Sequence, residues 1–279
     1  MQIDGNTQLI GIIANPISHV RTPQLFNASV AKQGLNVVCL PFQVEASKLL
    51  PLLSGVPALN NLLGLIVTIP HKESVVAACG ELTDTAKLVG SVNAMRFDRN
   101  KHVWIGGNFD GEGFVAGLRD RGHTLLGKRV LLVGAGGAGK PIAYAIARER
   151  PSELVIHNRS AGRANELAMR LKDTMDDVMV RVGEEDPSGF DVVVNATSLG
   201  LKDTDALPLP TDRLEAGTLV CEAVVRDGHT PLLEAAIQCG CMVHHGQHML
   251  YGQIVQIAQF LNVPLQPQFV EQILGPVRE

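Results

Sequence analysis

The chain has little of what marks a secreted, membrane-embedded or nucleic-acid-binding protein. Only five of its 279 residues are cysteine: Cys39, Cys79, Cys221, Cys239 and Cys241. An odd number, mostly far apart, argues against a disulfide framework and for reduced thiols. No uninterrupted apolar stretch reaches membrane-spanning length, and Met1-Gln-Ile-Asp4 carries no basic region followed by an apolar core. Neither a spanning helix nor a secretory leader is therefore expected. There is no long basic block and the formal net charge is −4, which disfavours a general nucleic-acid surface and leaves a small dissolved ligand as the default partner. No internal repeat or low-complexity segment stands out. The expectation is a cytoplasmic globular protein, monomer or homodimer, with no nucleic-acid or membrane partner.

What is present is apolar and periodic. At 46% hydrophobic, the chain can bury a large core in one large domain or two smaller ones. Strand-like runs alternate with helix-like ones: Leu9–Ile13, Pro23–Ala31, Asn36–Leu40, Ala46–Leu53 and Leu62–Val67. Val92–Met95 and Val103–Ile105 read as edge strands before a helix near Asp110. A second series runs from Val130 through Glu153–Ile156, Val178–Val180, Val192–Val194 and Leu219–Cys221. Such alternation predicts an α/β fold with mostly parallel sheets. The apolar segment Met249–Leu261 predicts a helix that buries one face, placed against the first domain. Ligands of open parallel sheets bind beyond the carboxyl ends of the strands, so a cleft between two such domains is the expected site.

Between Arg129–Val133 and Ile142–Ala147 stands Gly134-Ala135-Gly136-Gly137-Ala138-Gly139-Lys140. Gly134, Gly136 and Gly139 fit the dinucleotide spacing, with one glycine for the tight turn, one for pyrophosphate access and one for helix-on-sheet packing. The run also nearly spells a nucleoside-triphosphate loop, but Pro141 stands where a magnesium-binding hydroxyl belongs. A tight turn without a ligand is the plainer alternative. About twenty residues on, where an acid would bind the ribose 2′-hydroxyl of NAD, the chain reads His157-Asn158-Arg159-Ser160. Arg159, with Arg163 behind it, suits a 2′-phosphate, so NADP is favoured over NAD unless Arg159 is an ordinary solvated arginine. Cys239 and Cys241 ahead of His244, His245 and His248 match no usual zinc spacing, and no metal is expected.

Val67-Thr68-Ile-Pro-His71-Lys72 should present Lys72 at a strand's carboxyl end, and Asp110 lies in Gly107-Asn-Phe109-Asp110-Gly111. Together with Ser91-Val-Asn93-Ala, Asn195-Ala-Thr197-Ser-Leu-Gly200, Thr230-Pro-Leu-Leu233 and Gly246-Gln-His-Met-Leu-Tyr-Gly-Gln253, these segments resemble the shikimate dehydrogenase family, in its order and over nearly the whole chain. The resemblance implies a substrate-binding and catalytic domain at 1–110 with 245–279, and a Rossmann-type domain at 111–244. It implies reversible, NADP-dependent oxidation of the ring 3-hydroxyl of shikimate, in aromatic amino acid biosynthesis. Lys72 and Asp110 match the catalytic pair; Thr22, Thr68, Asn93 and Gln253 match substrate contacts. Gly134 to Gly139, Asn158, Arg159, Ser160, Arg163 and Thr197 fall in the cofactor site. A base must take the hydroxyl proton as hydride leaves the carbon; which of Lys72 and Asp110 carries it stays open. His71 points elsewhere and is read as structural or solvent-facing, and His19 as shaping its loop.

Three positions depart from the family pattern. Val20 replaces the first of two serines that meet the substrate carboxylate, whereas Thr22 keeps a hydroxyl at the second; Phe109 stands for threonine and Val225 for tyrosine. A lost hydrogen bond to a charged group weakens binding by about 10- to 150-fold. The pocket is expected to be more apolar, with quinate, an aminoshikimate or another cyclic hydroxy acid as alternative substrates. Arg21 can reach a carboxylate from a new direction or face outward. A non-catalytic NAD(P)-binding regulator and a P-loop enzyme are the readings from other classes.

Overall fold

A computed structural model describes residues 2–274 apart from His19, Asp176 and Asp227; the role expected of His19 lies outside the described residues. The chain forms two compact units. One holds the residues up to Phe109 and those from Gln253 onward; the other is Asp110–Gly252.

The first unit runs β1 (Gln8–Ala14), α1 (Thr22–Gln33), β2 (Val37–Gln43), α2 (Leu49–Gly55), β3 (Leu62–Val67), β4 (Cys79–Leu82), α3 (Asp84–Val89), β5 (Ala94–Asp98) and β6 (Val103–Gly107). Its sheet order is β2-β1-β3-β5-β6-β4. The apolar β1 lies between β2 and β3 with both neighbours parallel, and Ile13, Leu65, Val67, Met95 and Trp104 join one buried cluster. The two strands expected at the edge are interior. β5 and β6 form an antiparallel hairpin inserted beside β3, and the edge belongs to β4, whose Gly80 and Glu81 interrupt the apolar pattern that would reveal a strand.

The second unit runs α4 (Asp110–Asp120), β7 (Arg129–Val133), α5 (Gly139–Arg148), β8 (Glu153–His157), α6 (Ala161–Thr174), β9 (Met179–Val182), β10 (Val192–Asn195), β11 (Leu219–Glu222), α7 (Pro231–Gln238), β12 (Met242–His244) and α8 (Gly246–Phe260). Its order is β12-β11-β10-β7-β8-β9, with every pairing parallel. Strand order reverses between β7 and β10, the place where doubly wound sheets bind nucleotides. Strands covered on both faces need continuous apolar runs, hence Val192-Val-Val in the fully buried β10. Next to Asp110, Gly111 allows α4 to lie directly on α5, since a Cβ there would stand 2.1 Å from the Pro141 carbonyl oxygen.

The sequence-based boundary at 245 falls at the start of α8, whereas the compact units divide inside that helix, after Gly252. The helix buries Met249, Tyr251, Ile254, Ile257 and Ala258, as its apolar pattern requires. The last helix, α9 (Pro267–Leu274), packs on α1. Gln33 Nε2 donates to the Pro264 carbonyl at 2.7 Å, while its Oε1 accepts from Gln266 N–H at 2.9 Å. Among the described residues, no helix is long and apolar enough to cross a membrane.

Histidines crowd the second unit beside β12. Ring centroids lie 6.0 Å apart for His123 and His244, 4.7 Å for His244 and His248, and 4.9 Å for His229 and His245. The Cys239 and Cys241 thiols turn instead to the Thr211 and Glu215 carbonyls. Among the described residues, no group of three or more His, Cys, Asp or Glu is arranged to hold a metal ion. Burial, reinforced by the neighbouring histidines and Arg121, pushes His244 down to about 2 and His248 down to about 4. Below its usual value of about 6.5, each such histidine is protonated in the unfolded chain but not in the folded one. Stability is therefore expected to fall as the pH drops from about 6.5 toward 4, by up to about 1.4 kcal/mol per unit for each histidine. Melting midpoints across that range check this, and a His248→Gln variant should show a shallower decline; a flat wild-type profile would contradict it.

Candidate active site

In the first unit the chain ends of three strands are laced together. Val67 N–H donates to the Asn93 carbonyl at 2.8 Å, Thr68 N–H to that of Ile13 at 3.1 Å, Val92 N–H to that of Lys72 at 2.8 Å, and Asn93 N–H to that of Gly107 at 2.9 Å. Two buried amides complete the frame. Asn93 Oδ1 accepts from Phe109 N–H at 3.0 Å; Asn108 Nδ2 donates to the Ser91 carbonyl at 3.2 Å and to its Oγ at 2.9 Å. Thr68 and Lys72 are half-buried at the end of β3, and Asp110, 1% exposed, is the first residue of α4. His71 is structural: its ring is buried, with Nε2 2.7 Å from the Val44 carbonyl oxygen.

Thr22 is half-buried at the start of α1, behind the half-buried Val20 and the exposed Arg21, and Gln253 is half-buried on α8. The Phe109 ring closes over Gly107, where a Cβ would meet it at 2.7 Å, and lies 5.2 Å from the Phe260 ring. The Arg96 guanidinium covers Phe260 at 5.4 Å. The aromatic ring that replaces the family's threonine is thus bound into an aromatic layer of its own unit.

In the second unit the loop between β7 and α5 shows two kinds of glycine. Gly134 has φ +116°, and a Cβ on Gly139 would stand 2.1 Å from the Gly134 carbonyl oxygen, so the loop folds against itself only without side chains there. At Gly136 and Gly137 an added Cβ would meet nothing within 4 Å. Bare, open backbone at the start of a helix is what a pyrophosphate needs, so these residues fit a dinucleotide.

The loop is tied to the end of β8. Gly134 N–H donates to the His157 carbonyl at 2.8 Å, Ala135 N–H to Asn158 Oδ1 at 3.0 Å, and Asn158 Nδ2 to the Ser160 carbonyl at 3.0 Å. The backbone amide of Ala135 and the side chain of Asn158 therefore hold the loop in shape. Ala138 immediately precedes α5, and Ser160 precedes α6. Arg159 and Arg163 are exposed just beyond β8, and neither enters an ion pair among the described residues. The Thr197 hydroxyl is engaged in its own turn, donating to Asn195 Oδ1 at 2.7 Å and accepting from Leu199 N–H at 3.1 Å. The half-buried Val225 follows β11.

One polar residue escaped the sequence reading. Glu222 ends β11 at 1% exposure, and burial pushes its carboxyl up to about 7 against the opposing effect of its hydrogen bonds. It accepts from Thr230 Oγ1 at 2.7 Å and Asn195 Nδ2 at 2.9 Å. The available signal was register: Asn195 and Glu222 are paired residues at the ends of two neighbouring apolar strands.

Comparison with known proteins gives a consistent result. Residues 12–95 match the family described as shikimate dehydrogenase substrate binding domain, and residues 118–201 that described as shikimate / quinate 5-dehydrogenase. The shikimate dehydrogenase (NADP(+)) of Rubrobacter xylanophilus is 40% identical over 259 residues, which cover 91% of this chain and 90% of that protein. Among solved structures, shikimate 5-dehydrogenase from Listeria monocytogenes, in complex with shikimate and NAD, superposes with a TM-score of 0.89 at 29% identity, covering 99% of both chains. Ligand-free 5-ketofructose reductase of a Gluconobacter strain reaches 0.86 at 28% identity, covering 97% of this chain and 99% of that one.

Proposed function

The chain belongs to the shikimate dehydrogenase family, and from that membership we propose that it is an NADP-dependent oxidoreductase interconverting shikimate and 3-dehydroshikimate in aromatic amino acid biosynthesis. The observation that carries the cofactor half is the open glycine backbone between β7 and α5, followed by a turn with arginine and no acid. The P-loop alternative is not favoured: Pro141 supplies no hydroxyl, and its carbonyl lies against Gly111. We place the protein in the cytoplasm, as a monomer or homodimer acting on a small dissolved substrate.

Bound NADP supplies the hydride acceptor for oxidation of the ring carbinol. The protein's own task is to move one proton and hold the ring. Lys72 takes the hydroxyl proton and returns it in the reverse direction, and Asp110 orients the lysine and shares the hydrogen bond to the reacting oxygen. Thr22, Thr68, Asn93 and Gln253 hold the substrate's other oxygens. Asn93 Oδ1 accepts from Phe109 N–H, which fixes how its amide is turned. Arg159, supported by Arg163, would hold the 2′-phosphate of NADP.

Absorbance at the reduced-nicotinamide band, with shikimate or quinate paired with NADP or NAD, tests this reading. Turnover of shikimate with NADP is expected; turnover of quinate alone would reassign the substrate to a ring acid better suited to Val20, Phe109 and Val225. Arg159→Ala should raise KM for NADP about 10- to 100-fold and KM for NAD by less than about twofold. Equal losses for both would remove Arg159 from phosphate recognition.

A further inference from the structure

At the carboxyl ends of β10 and β11 a single buried carboxylate joins three segments of chain. Glu222 Oε1 accepts from Thr230 Oγ1, whose oxygen in turn caps α7 by accepting from Leu233 N–H at 3.2 Å. Glu222 Oε2 accepts from Asn195 Nδ2. The same Nδ2 donates to the Leu199 carbonyl at 3.0 Å, and Asn195 Oδ1 accepts both the N–H and the hydroxyl of Thr197. Gly200, with φ +103°, brings the loop down onto this group, where a Cβ would lie 3.4 Å from Thr230 Cβ and 3.7 Å from Glu222 Oε1. We propose that Glu222 is a positioning residue that sets the shape of the Asn195–Gly200 loop for the cofactor by accepting from Asn195 and Thr230 together. This rests on the reading that the second unit binds NADP.

The donor pattern makes the arrangement depend on charge. Asn195 cannot turn its amide around, because its Oδ1 already takes a backbone N–H from Thr197, so it must present a donor to Glu222. An ionised Glu222 accepts from both partners. A protonated Glu222 carries a hydrogen on one oxygen, so its bond to Thr230 must reverse, with Glu222 donating to an Oγ1 that already accepts from Leu233 N–H. The titratable and charged groups around it are few. Arg226 follows on the same segment and is held by the Gly200 carbonyl at 3.2 Å and by Asp203 at 2.8 Å. Asp205 accepts from Gly200 and Lys202 N–H, the Cys221 thiol precedes Glu222, and His229 precedes Thr230. Burial places the Glu222 transition near neutrality, at about 7. Its ionised form prevails above that pH, so the arrangement in which Glu222 accepts from both partners is complete in alkaline solution and gives way to the reversed one as the pH falls.

NADPH binding to the whole protein, followed by the ligand's own fluorescence from pH 6 to 8.5, tests the proposal on wild type and Glu222→Gln. Glutamine offers an amide that cannot accept from both partners. Its Kd is expected to be about 5- to 20-fold higher than wild type at pH 8.5, with the two converging toward pH 6. Titration of the ligand's 2′-phosphate affects both proteins alike, so the difference between their profiles isolates Glu222. In turnover, KM for NADP should rise while kcat stays within about twofold. Superimposable binding profiles for the two proteins would overturn the proposal. If wild type bound no NADPH at any pH, the cofactor reading itself would fall and the proposal with it. Should Glu222→Gln not fold, Thr230→Val and Thr230→Ser take its place: valine should weaken binding and serine preserve it, and equal affinities would overturn the proposal.

Discussion

Replacing Lys72 by alanine is expected to lower turnover by about 10²–10⁴-fold, the usual contribution of a positioned general base, with NADPH affinity within about twofold of wild type. The substitution is clean because the segment is held by its backbone. The Lys72 carbonyl receives Val92 N–H at 2.8 Å, and the His71 carbonyl receives Val75 N–H at 3.0 Å, neither of which uses the lysine side chain. The melting midpoint should therefore change by less than about 2 °C, as for a half-buried position outside the core. Single-turnover measurement with saturating shikimate and NADP separates the outcomes. A slow chemical step with normal binding assigns the proton to Lys72. An unchanged chemical step would leave Asp110 as the base, and Asp110→Asn should then show the larger loss.

The second large effect is expected at Gly139. An alanine Cβ would stand 2.1 Å from the Gly134 carbonyl oxygen and 2.7 Å from its carbon, and both are backbone atoms that cannot swing aside. Either the loop or the start of α5 must shift, at a cost of about 1–3 kcal/mol, with the open backbone moved out of shape for a pyrophosphate. Gly139→Ala should lower the melting midpoint by several degrees and weaken NADPH binding at least about 10-fold. Gly136→Ala makes the contrast. Its Cβ enters open space, so stability should change by less than about 0.5 kcal/mol, while the methyl obstructs a ligand approaching the bare backbone. Calorimetry and fluorescence titration of both variants decide the matter. If Gly136→Ala bound NADPH as wild type does, the phosphate path would not cross Gly136.

The strand pattern and the cofactor-loop motifs were legible in the residues because they are local. An apolar run such as Val192-Val-Val, a glycine-rich turn after Arg129–Val133 and an acid-free His157-Asn158-Arg159 are read within a few positions. The β5–β6 hairpin was not legible in this way, because neither strand's composition says which neighbour it will pair with; Val92–Met95 suits an edge as well as an interior position. β4 was hidden by a glycine and a glutamate that suit an edge strand and a loop equally. The part played by Asn158 was also hidden. As a residue type it suits a ribose contact, and only the folded chain shows its amide spent on Ala135 and Ser160.

By itself the sequence determined the α/β alternation, the glycine loop and the arginine beyond β8, because each depends on side-chain chemistry and period over a short stretch of chain. The tertiary structure alone decided the order of strands in each sheet and the departure of Phe109 toward Phe260. It also decided the meeting of Asn195, Glu222 and Thr230. Those three lie up to 35 positions apart (230 − 195), and their hydrogen bonds exist only because parallel pairing brings the ends of β10 and β11 to the same level. A buried carboxylate depends on the donors that folding places around it. No short stretch of chain contains that information.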